Sequence, residues 1–113
     1  MKTVEKVGAQ GDVMFIKVDA LPLEAKPLTV AGEGRVVVAH SETGHHHVAV
    51  AESVRLYGVA DPMVHYLVAE SAYADVVHER SFDTHETLRL PKGTWEVRRQ
   101  REMMPDGERQ VAD

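Results

Sequence analysis

The chain has 113 residues, 43 % hydrophobic and 27 % charged, the make-up of one globular domain rather than of a disordered segment. A formal net charge of -5 argues against a generic nucleic-acid or anionic-membrane binder, which needs surplus Lys and Arg to meet phosphates. With no cysteine, disulfides, thiolate nucleophiles and sulfur-ligated metal sites are excluded, leaving histidine and carboxylate as the strong ligands.

The opening Met1–Lys6 lacks the apolar core of a signal peptide and no apolar run reaches membrane-spanning length, so the expected compartment is the cytoplasm. Val13–Val18 reads as a first strand, followed by a loop with Pro22 and Pro27. Gly32-Glu33-Gly34 marks a turn into a strand at Arg35–His40, and Ser41–Gly44 connects this to His45–Ala51 as a hairpin. Gly58 and Asp61-Pro62 punctuate Val54–Tyr57 and Met63–Ala69. Val64–Ala74 also admits a helical reading, but Tyr66, Val68 and their β-branched neighbours favour strand. Ala74–His78, Thr87–Leu90 and Thr94–Arg101 complete the series, with Pro91-Lys92-Gly93 as a tight turn between the last two. Another turn signal at Met104–Glu108 makes residues 103–113 a hairpin arm or a mobile tail. Seven or eight short strands imply an all-β fold, a single small barrel or sandwich spanning residues 1–113. A domain this small gains from self-association, so a homo-oligomer is expected.

Seven histidines are unevenly placed: His40, His45, His46 and His47 surround one hairpin, while His65, His78 and His85 lie further on. On a strand His45 and His47 share one face and His46 takes the other. Two imidazoles on one face form a ligand pair for a divalent transition metal, zinc first, with iron, nickel and copper as alternatives. His85 is the expected third ligand, with His78 as the runner-up; His40 stands as either ligand or support. His65 shares a face with Met63 and Leu67, a setting typical of a packed histidine. The competing reading of the cluster is a polar hairpin loop whose histidines face water. Arg98, Arg99 and Arg101 read as a solvated strand or a salt-linked interface, and Trp95 as core.

Three imidazoles leave a coordination position for water, whose pKa the metal lowers, with Glu42 or Glu52 as the candidate proton acceptor. Glu52 lies on the opposite face from His45 and His47 and needs a bulge to join them. Such a site fits a zinc-dependent hydrolase, lyase or hydratase, or an iron oxygenase, acting on a small molecule. The alternative is a non-enzymatic structural or assembly protein, linked to a phage or mobile element, whose histidines bridge subunits. Beyond its histidines the strand is apolar on both faces (Ala49 and Ala51; Val48 and Val50), so either a subunit interface or the chain's own loops must cover it.

His45-His46-His47, Glu52 after four residues and Gly58, then Pro91-Lys92-Gly93, together resemble the two motifs of the cupins. Glu96 stands where the His of the second motif would fall, and Ala39 where the first would begin with Gly. The resemblance implies a double-stranded β-helix with His45, His47 and Glu52 as metal ligands. Glu42-Thr43-Gly44-His45-His46-His47, His85, Leu90–Trp95 and Gln100-Arg101-Glu102 are also similar to small uncharacterised proteins of bacteria and their phages.

Overall fold

A computed structural model describes residues 1–28, 35–39, 46–50, 53–78, 86–99, 101–104 and 107–110, with the backbone alone for 35, 101–104 and 107–110. The strands are β1 (Lys2–Thr3), β2 (Val7–Gln10), β3 (Val13–Val18), β4 (Lys26–Pro27), β5 (Arg35–Ala39), β6 (His47–Val50), β7 (Val54–Gly58), β8 (Val64–His78), β9 (Leu88–Arg99), β10 (Arg101–Met104) and β11 (Gly107–Gln110). The fold is all-β, and no helix among the described residues is long and apolar enough to cross a membrane. The main sheet runs β2-β3-β9-β8-β6-β5; β7 also pairs with β8, β4 with β7, and β1 lies parallel to β9. Among the described residues β2 and β5 do not pair with each other, so the barrel expected from the sequence is not closed. β10 and β11 form a separate antiparallel hairpin.

The two long strands organise the rest. β8 and β9 pair from Val64↔Arg98 to Ala69↔Gly93, slip, and resume from Tyr73↔Pro91 to Val76↔Leu88. Three residues of β8, Glu70 to Ala72, stand in this slip against one of β9, Lys92, so the ladder is bulged. The irregularity reverses which side chains face inward. Before it β8 gives Leu67 and Ala69 to the core cluster, with Val64 and Tyr66 buried at the alternate positions; after it, Ala74 and Val76, with His78 buried in line with them. Likewise β9 buries Leu88 and Leu90, then Trp95 and Val97. A regular strand has a strict period of two and would have turned one half of each set outward.

Pro91-Lys92-Gly93 is therefore no turn, and the strands expected at Thr87–Leu90 and Thr94–Arg101 are one continuous β9. Met63–Ala69 and Ala74–His78 similarly merge into β8. Proline, which has no amide donor, is tolerated where the ladder is interrupted. Gly93 takes φ 148°, a conformation that side-chain-bearing residues avoid.

Bent in this way, the sheet has two arms around one core. One arm joins β2, β3 and β7 to the Val64 half of β8; the other joins β1, β6 and β5 to its His78 half. Phe15, Leu56, Leu67, Trp95 and Val97 from the first arm and Val36, Ala49, Val76, Leu88 and Leu90 from the second belong to the same hydrophobic cluster. Trp95, the only tryptophan, is fully buried, and its indole donates to the Pro91 carbonyl at 3.0 Å. Trp95→Ala is expected to cost about 3–5 kcal/mol through lost burial and a cavity. Urea denaturation followed by far-UV circular dichroism measures this; a loss below about 1 kcal/mol would mean the indole does not anchor the core.

Candidate functional site

His47 opens β6 and His78 closes β8, and the two are register partners. Directly opposed residues project on the same face, here the inner one, in line with Ala49 and Val76. Both histidines are almost wholly buried, and their rings stack with centroids 4.2 Å apart and planes within 3°. Two imidazolium charges at that distance would repel by about 4 kcal/mol at an effective dielectric of 20, so at most one ring carries a charge.

The opposite arm supplies the polar partners. Gln10 and Val13 close the β2–β3 hairpin around Gly11-Asp12. Gly11 has φ 61°, and among the described residues no non-glycine residue has positive φ, the pattern of a II′ turn with glycine at its first central position. Gln10 and Asp12 are both buried. The Gln10 Nε2 donates at 2.9 Å to the carbonyls of Val76 and Glu86. Carbonyls only accept, so both amide hydrogens are committed and Oε1 must face the other way. There it lies 2.8 Å from His47 Nδ1. An amide oxygen is an acceptor only, so Nδ1 carries the hydrogen and donates it. The remaining nitrogen, Nε2, lies 3.7 Å from Asp12 Oδ1. On the other side of that carboxylate, the Arg99 guanidinium stands 3.8 Å from Oδ2.

Of the residues expected to form the site, His47 and the runner-up His78 are described, and they lie against each other. His45, His85, Glu42, Glu52 and His40 lie outside the described residues. Ala39↔His47 and Val76↔Leu88 put the ends of β5, β6, β8 and β9 at one end of the same arm. The connections carrying His40, His45 and His85 are thus attached by sequence to the strand ends that hold His47 and His78. His65 sits at the far end of β8, opposite Gly58 and Val97, and is half-buried. Among the described residues no group of three or more His, Asp or Glu is placed to hold a metal ion.

The sequence reading missed Gln10, Asp12 and Arg99. Gln10 was legible in principle, because Gln-Gly-Asp between two extended segments is a hairpin signal and places a polar side chain at an inward position. The basic stretch resolves into separate contacts: Arg98 pairs with Glu96 at 3.0 Å, whereas Arg99 faces Asp12. Glu96 also accepts from the Tyr66 hydroxyl at 3.0 Å; burial first, then this carboxylate, pushes the phenol's pKa up.

The stack has a measurable consequence. A double-mutant cycle of His47→Ala and His78→Ala in chelator-treated protein is expected to give a favourable coupling of about 0.5–1.5 kcal/mol. Additive losses would show that the rings do not interact.

No curated protein and no solved structure gives a significant match to the chain. A protein-family description does match, over residues 9–100, a span that includes Gln10, Asp12, His47, His78 and Arg99. By that match the chain belongs to the family described as a domain of unknown function, DUF8820.

Proposed function

We propose that this is a divalent transition-metal-binding β domain whose centre is built on His47, with zinc the preferred ion and iron, nickel or copper as alternatives. The observation that carries the reading is the fixed imidazole: Nδ1–H is held by Gln10, and Nε2 lies on the side of a buried carboxylate. A ligand histidine is commonly held in this way, its second nitrogen donating to an oxygen that fixes tautomer and ring orientation. His78 is the neighbouring imidazole, and His45, His85 and His40 are the sequence-based candidates to complete the set. The cupin-like His-x-His motif supports the same residue.

The burial of His47, His78 and Asp12 favours a closed, structural centre over an open catalytic one. Hydrolytic, hydratase or oxygenase chemistry on a small molecule, with Glu42 or Glu52 as proton acceptor, is the second reading, motivated by the histidine-rich segment itself. Histidines bridging subunits in an assembly or phage-linked protein would have to be others than His47 and His78, which are enclosed within one chain.

Elemental analysis of protein purified without a metal resin is expected to find about one ion per chain in the wild type and in His65→Ala, and little in His47→Ala. A wild type that holds no more metal than His47→Ala would reject the proposal. Self-association remains part of it on grounds of size: Val48 is buried within the chain but Val50 is 37 % exposed. Light scattering at micromolar concentration is expected to show a dimer or larger species, and a stable monomer would reject that part.

A further inference from the structure

We infer that Gln10 is the positioning residue that selects Nε2 of His47 as the metal-binding atom, with Asp12 the carboxylate that shares the ion. The ligand half of this inference rests on the metal-binding reading above; the tautomer half does not.

The selection follows from hydrogen-bond chemistry. A neutral imidazole has one N–H and one lone pair, and the partner at one nitrogen decides which atom is left to bind a metal. Gln10 is not free to offer its nitrogen to His47, because Nε2 is held by two carbonyls: Val76 in β8 and Glu86 just before β9. Turning the amide over would place its oxygen against both carbonyls and its NH₂ against Nδ1, exchanging two donations for a repulsive pair. The chain thus fixes the carboxamide, the carboxamide fixes Nδ1–H, and the lone pair of the neutral ring is on Nε2.

The distance on that side fits a shared ion. Nε2 and Asp12 Oδ1 are 3.7 Å apart, too far for a hydrogen bond. Two donors at about 2.0–2.2 Å from a tetrahedral ion stand about 3.3–3.6 Å apart, so a shift of a few tenths of an ångström admits the ion. A nitrogen and an oxygen donor together suit zinc or iron(II). The Arg99 guanidinium stands 3.8 Å from the other carboxylate oxygen, and Oδ1 is the atom nearer His47.

Two measurements test this. In metal-free, ¹⁵N-labelled wild type at pH 8, long-range ¹H–¹⁵N correlation spectra are expected to show His47 protonated on Nδ1 and bare on Nε2. The Nε2–H tautomer, or a ring protonated on both nitrogens, would overturn the assignment. Zinc titration in competition with a chelator is then expected to show Gln10→Met binding about 10–100-fold more weakly than wild type. Asp12→Asn should weaken binding as well. Wild-type zinc affinity in a folded Gln10→Met protein, judged by Trp95 fluorescence, would reduce Gln10 to a purely structural clasp and overturn the ligand half. A wild type that binds no zinc overturns the metal reading and the ligand half with it, while the spectrum still decides the tautomer.

Discussion

The interrupted ladder between β8 and β9 decides what faces inward along both long strands. At Ala69/Tyr73 on one strand and Pro91–Gly93 on the other, the inward set changes from one parity to the other. Without that change, either Trp95 and Leu67 or Leu88, Leu90 and Val76 would point to solvent. Burying these side chains is the main driving force available to a chain of this size. The same reversal turns His78 inward, and pairing with β6 brings His47 beside it. Core and candidate site therefore depend on one irregularity.

Where the two arms meet, apolar packing gives way to a polar junction. Gln10 reaches from β2 to backbone carbonyls of the opposite arm and to His47, using both amide hydrogens and the oxygen. Buried polar groups are costly unless paired, and a fully paired one also fixes the geometry of its neighbours. Gln10 thus ties the arms together and orients an imidazole with a single side chain. Asp12 and Arg99 add a buried carboxylate and a guanidinium to the same junction, which gives it electrostatic character that a hydrophobic seam would lack.

Much of the architecture was legible in the sequence. β3 was read at its observed limits, β5, β6 and β7 within a residue or two, the strand character of Val64–Ala74 held against its helical reading, and Trp95 is core. β2 was missed for a physical reason. Gly8 allows that strand to approach Val4, since a Cβ there would come within 2.7 Å of Val4 Cγ2 and 3.4 Å of Leu88 Cδ1. The residue that permits close packing thereby removes the β-branched signal by which strands are recognised. Pro-x-Gly at 91–93 misled in the opposite direction, because the same residue types serve turns and bulges. Of the candidate site, the strand position of His47 was legible. Its partners Gln10, Asp12 and Arg99 come from the other arm, and long-range pairing of arms leaves no local pattern.

On the proposed reading, this junction holds a metal ion on His47 Nε2. Crystals of zinc-loaded protein, measured on both sides of the zinc absorption edge, test it most directly. An anomalous peak is expected about 2.0–2.1 Å from His47 Nε2, on the Asp12 side of the ring. A peak bonded to Nδ1, or zinc found only at exposed histidines elsewhere on the chain, would contradict it.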